Sequence, residues 1–256
     1  MVKNGWTHEQ LLVAFWLYCQ IPFGKLHAKN PLIIKFAEHI GRTASALAMK
    51  LVNIASLDPV ITSTGRKGLV GASQADRDMW TAMQSDWEDF AAKSAAAVAA
   101  LSPEDNVLAE MLENDDETEN YFATSKDVIA QARIGQGFFR RSVLSAYDYK
   151  CCITGWENPQ MLVASHIVPW RADAANRLNP SNGLSLSVLH DKAFDLGWLT
   201  ITEQLTIKIS KAFNAQGNEF FKNSFTQYDG KLITLPKKFV PNQAFLAYHR
   251  EHIFQE

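Results

Sequence analysis

Residues 165–195, SHIVPWRADAANRLNPSNGLSLSVLHDKAFD, constrain the chain more than any other stretch. An apolar strand, MLVASHIVP, runs into it, and a polar loop leads on to a Pro-Ser-Asn-Gly turn. A helix follows over about residues 187–194. His166 falls on the strand, Asn182 in the turn and His190 on the helix. If the strand pairs with a neighbour, a ββα arrangement results, and the strand end and the helix come side by side. An imidazole is suited to act as a base near neutral pH, and a second one can hold a cation. Phosphodiester hydrolysis needs both functions: water must lose a proton, and the charge growing on the phosphate and the leaving oxygen must be offset. Against this stands the plain structural reading, since a lone histidine at a strand end ordinarily packs.

The remainder of the second half supports an α+β fold. A helix is expected over ATSKDVIAQARIGQGFFRRSVLSAYDYKC, then a short strand and turn around CCITGWENPQ. GWLTITEQLTIKIS splits into two alternating runs and reads as a hairpin. NQAFLAYHREHIF closes the chain as a helix, and His249 and His252 on it are assigned to packing or surface. Trp156, Trp170 and Trp198 are expected in the core, and Cys151 as a buried thiol.

The first half reads as helical. THEQLLVAFWLYCQIP begins with Thr7 and Gln10 in a capping-box pattern and stops before Pro22. Its apolar run follows Glu9, lacks an obvious small-residue cleavage site and is too short to span a bilayer, so it reads as a buried helix. NPLIIKFAEHIG and RTASALAMKLVNIASLDP form two more helices joined at Gly41, a helix-turn-helix pattern. The second of these would turn Arg42, Thr43, Ser45, Lys50 and Asn53 outward toward DNA; the alternative is a solvated face of a helical bundle. Arg66 and Lys67, among glycines in the 62–73 loop, are further candidates for phosphate contact. One Ala- and Trp-rich helix is expected from about 74 to 101.

Charge is unevenly spread. Residues 104–123 carry 8 acidic and no basic side chains, which hides two mildly basic halves in a formal net charge of -2. That balance permits nucleic-acid binding without requiring it. The acidic run reads as a linker or an exposed acidic helix, and as the domain boundary. Three cysteines, Cys19, Cys151 and Cys152, without a C-x-x-C pair, exclude a disulfide framework, make structural zinc unexpected and suit a cytoplasmic protein.

CCITG (151–155), ASHIVPW (164–170), SNGLSL (181–186) and LHDKAFDLG (189–197) together resemble the HNH, or ββα-metal (His-Me finger), endonucleases, and among them those of restriction type. IGQGFFRRSVLSAYDYKC and AYHREHIF extend the resemblance to roughly residues 133–254, and IIKFAEHIGRTASALAMKLVNIASLDP matches the helical N-terminal region of such proteins more loosely. The resemblance implies that His166 is the general base, Asn182 the central asparagine and His190 a metal-holding residue. It also implies one divalent cation, Mg²⁺, Mn²⁺ or similar, and products with 5′-phosphate and 3′-hydroxyl. One position departs: many of these enzymes carry Asp or His just before the base, and this chain has Ser165. Asp195, or Asp191, is then a candidate ligand, although a spacing of five from His190 suits one helix face poorly. Arg171, Arg177 and Lys192 are candidates for clamping phosphates.

The expectation is a helical recognition domain over 1–103, an acidic linker over 104–123 and an HNH nuclease domain over 124–256. It would act on double-stranded DNA as a type II or modification-dependent restriction enzyme, without membrane association. A homodimer would match a palindromic site. The competing reading is a DNA-binding regulator that keeps the fold without cutting, with Ser165 as its best support.

Overall fold

The computed structural model describes residues 5–63, 71–101, 126–214 and 218–256, and its architecture is α+β. The first half holds α1 (His8–Gln20), α2 (Pro31–His39), α3 (Ala44–Ala55), α4 (Pro59–Ser63), α5 (Gln74–Ser85) and α6 (Trp87–Ala99). A long α7 (Lys126–Ala146) leads into β1 (Leu162–His166), β2 (Gly183–Ser187) and α8 (Val188–Asp195). The hairpin β3 (Leu199–Ile201) and β4 (Ile207–Ile209), the short α9 (Lys211–Asn214) and α10 (Glu219–Ser224), and α11 (Gln243–His252) complete the chain. Among the described residues no helix is long and apolar enough to cross a membrane. Arg66, Lys67 and the acidic run 104–123 lie outside the described residues.

The capping box of Thr7 and Gln10 starts α1, and every residue from Leu11 to Gln20 is buried. A helix apolar on all sides belongs inside a protein rather than on its surface. Asn30 caps α2, Pro31 opens it, Gly41 turns the chain with a φ of 65° and Thr43 caps α3, so the two-helix pattern forms as its sequence suggests. The expected single helix over 74–101 is instead two. Asp86 leaves the helical region at φ -150° and ψ 92°, and its carboxylate accepts from the Asp89 N–H to cap α6. A cap residue inside an Ala-rich run therefore overrides local helix propensity.

The spine of the molecule is α7. One side packs on α1 and α6, and the other on β1 and β2. Trp87 of α6 meets Phe138 of α7 and Phe239 of the C-terminal segment, with ring centroids at 6.4 and 5.7 Å. The buried Gln20 side chain donates to Ser142 Oγ at 3.0 Å and accepts from Arg141 at 2.6 Å. β1 and β2 pair antiparallel, with Leu162 opposite Ser187 and His166 opposite Gly183. Gly183 lets β2 lie close on α7: a Cβ there would come within 2.4 Å of Val143 Cγ2 and 3.0 Å of Phe139 Cζ. That contact fixes the distance between the spine and the strand carrying His166.

Candidate active site

β1, β2 and α8 form the expected ββα unit, with His166 at the end of β1, Asn182 immediately before β2 and His190 on α8. The His166 ring stacks on Phe139 of α7, with centroids 3.9 Å apart and planes 10° apart, and Trp170 meets its edge at 5.4 Å. His166 Nε2 lies 2.9 Å from the carbonyl oxygen of Arg177. A carbonyl only accepts, so the ring carries its hydrogen on Nε2, and Nδ1 keeps its lone pair in the neutral form. Burial pushes the imidazole down to about 4, only partly offset by the Arg177 carbonyl. At neutral pH the ring is therefore an uncharged base with a fixed tautomer.

Asn182 is fully buried and holds the loop between the strands. Its Oδ1 accepts from the Val168 N–H at 2.8 Å, while its Nδ2 donates to the Val168 and Asn176 carbonyls at 3.2 and 3.3 Å. The Asn182 carbonyl also accepts from the Ile167 N–H at 2.9 Å. The side chain thus ties residues just after His166 to the turn that ends at Arg177, whose carbonyl holds His166.

His190 is buried between Phe225 and Tyr228. Its Nε2 donates to the Ser224 carbonyl, 2.9 Å away, which leaves Nδ1 to accept from the Ser187 hydroxyl at 2.7 Å. Burial lowers its pKa, with the Ser224 carbonyl opposing.

Residues 151–202 match a family described as HNH endonuclease. This segment is an HNH endonuclease domain. A comparison with curated proteins gives no match.

The HNH domain differs from its sequence-based expectation at the metal. Both ring nitrogens of His190 already have partners within the chain. Ser165 is buried, and its Oγ has no hydrogen-bond partner among the described residues. Asp195 is exposed while His190 is buried, because five residues turn a helix by about 140° past one full revolution and place the two on different faces. Among the described residues no group of three His, Cys, Asp or Glu side chains is placed to hold a metal ion. As placed, His190 is a packed, hydrogen-bonded link between α8 and the 224–228 segment, with both ring nitrogens engaged within the chain.

The candidate DNA contacts divide. Arg171 and Lys192 are exposed around the HNH domain. Arg177 is engaged: its Nε donates to the Ala174 carbonyl at 3.0 Å, its guanidinium lies over the Trp170 ring at 5.3 Å, and Glu88 of α6 stands 3.5 Å away. On α3, Lys50 is not outward. It is buried and paired with Asp76 of α5 at 2.7 and 2.9 Å, because α5 packs on that face. Arg42 bonds Gln10 and the Gly5 carbonyl and lies over Trp6. Asn53 is half-buried against Gly71, and Thr43 spends its hydroxyl on the cap. Ser45 is exposed. Of the expected recognition face, Lys50 is thus buried, Arg42 and Asn53 are half-buried, and Thr43 and Ser45 are exposed.

Trp156 is exposed, contrary to expectation, while Trp198 stacks on Phe213 at 4.0 Å and Trp170 faces His166. The cysteines are buried, as expected of Cys151. His249 is packed as well, stacked on Phe194 at 3.6 Å and bonded to Thr200 and the Phe194 carbonyl. Reading the sequence missed Phe139 and the Arg177 carbonyl as the groups that hold the base. GFFRR gave an apolar helix face but no partner for it, and a backbone carbonyl has no sequence signature at all.

Proposed function

We propose that the protein is a DNA endonuclease that hydrolyses phosphodiester bonds with His166 as general base. The observation that carries this reading is the His166 geometry inside a matched HNH domain: Nε2 tied to the Arg177 carbonyl, Nδ1 left with a lone pair. In this reading Nδ1 takes a proton from an attacking water as it adds to phosphorus, while the P–O3′ bond opposite breaks and a second water protonates the leaving 3′ oxygen. The Arg177 carbonyl then faces the imidazolium and stabilises it. A phosphate anion beside the ring raises its pKa from the resting value, which strengthens the base only when substrate is bound. Asn182 holds the loop that sets this distance. Arg171 and Lys192, both exposed, supply positive charge to the backbone. Products are a 5′-phosphate and a 3′-hydroxyl, and the biological setting is restriction of unmodified or modified double-stranded DNA.

HNH nucleases usually use a divalent metal ion, but no catalytic step is assigned to one here because the residues do not assemble a ligand set. The same observation supports a second reading, a DNA-binding protein that retains the HNH fold without cutting. Wild type and His166→Ala, incubated with unmodified, methylated and hydroxymethylated DNA in Mg²⁺ or Mn²⁺, decide between the two. Cleavage by wild type alone is expected. No cleavage of any DNA in either metal would leave the binding reading.

A further inference from the structure

The loop between α1 and α2, Lys25-Leu26-His27-Ala28-Lys29, alternates in burial. Leu26 is buried in the core and Ala28 packs partly against it, while Lys25, His27 and Lys29 are exposed. All three basic side chains reach one cavity.

The loop is also stiff. His27 N–H donates to the Lys25 carbonyl at 2.9 Å, and Asn30 N–H to the His27 carbonyl at 2.9 Å. The buried Asn30 side chain reaches back to the Lys25 carbonyl at 2.9 Å and forward to the Leu32 N–H at 2.9 Å. Little chain entropy remains to be lost when a ligand meets these lysines.

The three basic residues line a cavity of about 460 Å³, together with the start of α2 and Tyr149, which follows α7. Among the described residues no Asp or Glu lines this cavity, and none of Lys25, His27 and Lys29 pairs with a carboxylate. α2 starts on the same space, but Pro31 has no N–H and the Leu32 N–H is taken by Asn30, so the basic side chains carry the charge there. The volume exceeds what a bare phosphate needs and suits a phosphate with its sugar. Tyr149 adds an aromatic wall.

We propose that Lys25, His27 and Lys29, beside the start of α2, form a phosphate-binding site that grips the DNA backbone away from the scissile bond. The proposal rests on the nuclease reading for its choice of DNA. α7 links the two sites: Phe139 stacks on His166, and Tyr149, which lines the cavity, follows the end of α7 at Ala146. Backbone contact thus falls to a surface that the helix-turn-helix pattern did not indicate.

The test is fluorescence anisotropy of a labelled DNA duplex, with chelator present so that cleavage plays no part. Wild type is compared with K25A/K29A and with K25Q/K29Q, which keeps side-chain length without charge. The expected result is weaker duplex binding by both variants, at least about tenfold at low salt. The slope of log affinity against log salt should drop by about 2, as for two lost phosphate contacts. Melting temperatures should be unchanged, because both lysines are exposed. Unaltered affinity and slope in the folded variants overturns the proposal, as does a wild type that binds no duplex. Calorimetry with inorganic phosphate separates the other source of the same chemistry. Phosphate binding lost in the variants while duplex binding persists means that the site serves a free phosphate compound, and the DNA assignment fails. Lysine-dependent duplex binding by a protein that never cuts refutes the nuclease reading and leaves this site standing.

Discussion

The guanidinium of Arg177 lies 3.5 Å from the carboxylate of Glu88, and the pairing joins the helical first half to the loop that holds His166, the proposed base. The same residue turns its carbonyl to His166. Its two ends therefore do different jobs, and mutation separates them. Arg177→Ala keeps the carbonyl, hence the tautomer of His166, and removes the contacts to Ala174, Trp170 and Glu88. DNA cleavage is expected to fall about tenfold with a small change in melting temperature, against complete loss in His166→Ala. Glu88→Gln should follow in the same direction with a coupling under about 1 kcal/mol, since the pair is partly exposed. A plasmid-cleavage time course on the three proteins measures this. An Arg177→Ala loss as deep as that of His166→Ala would mean that the guanidinium itself meets the substrate.

Stability should rise with pH between about 4 and 6.5. His166 and His249 are each pushed down to about 4 by burial, from an ordinary value near 6.5. Between those values the unfolded chain binds protons that the folded chain refuses, so folding is favoured more as pH rises through the window and levels off above it. Each histidine contributes on the order of 3 kcal/mol across the full window. Urea denaturation at pH 4.5, 5.5 and 7 reads the slope. His249→Gln, which lies away from the base, should remove about half of it. A flat profile in wild type would contradict the burial of both rings.

The His166 strand, the turn at Asn182 and the His190 helix, the helix caps at Thr7, Asn30 and Thr43, and the buried α1 were legible because each depends on local pattern: a capping residue at a fixed offset, or a continuous apolar run. Strand β2 was not placed, although Leu184 and Leu186 alternate, because GLSLS is short and runs straight into α8. The partners of His190 were out of reach. Ser224 is far along the chain, and only the packing of α10 and its following turn brings its carbonyl to the ring. Lys50 misled for the same reason: an exposed position on an isolated α3 becomes a buried ion pair once α5 supplies Asp76.

Asn182 tests whether the loop, rather than a substrate contact, is what the central asparagine serves. Asn182→Asp keeps the acceptor for the Val168 N–H but replaces the two donors with an oxygen facing the Val168 and Asn176 carbonyls. Two buried carbonyls lose their donor and meet a like partial charge, a cost of roughly 2–4 kcal/mol. Thermal denaturation should show that loss, and cleavage should fall by a factor of 100 or more as Arg177 drifts from His166. Activity preserved in a destabilised Asn182→Asp protein would show that the loop position does not control the base.

Lys238 is the firmest tie between the two ends of the chain. Its ammonium is fully buried and donates to the carbonyls of Tyr18, Cys19 and Ile21 at 2.6, 3.1 and 2.9 Å and to Ser145 Oγ at 3.1 Å. The first two carbonyls belong to the last turn of α1, where helix carbonyls lack intrahelical donors, and the cation faces the negative end of the dipole. Burial lowers the lysine to about 8, so it is still mostly charged at neutral pH, helped by Asp58 nearby. Lys238→Met keeps most of the volume and removes every donor, which leaves the Tyr18 and Ile21 carbonyls without it inside the core, while Cys19 keeps the Ser145 hydroxyl. A loss of about 3–5 kcal/mol is expected, read as a lower urea midpoint. Because the residue also anchors Phe239 beside Trp80 and Trp87, the tryptophan fluorescence transition should shift with the far-ultraviolet circular dichroism transition. An unchanged midpoint would mean that water replaces the ammonium at no cost, which a site closed on all sides does not allow.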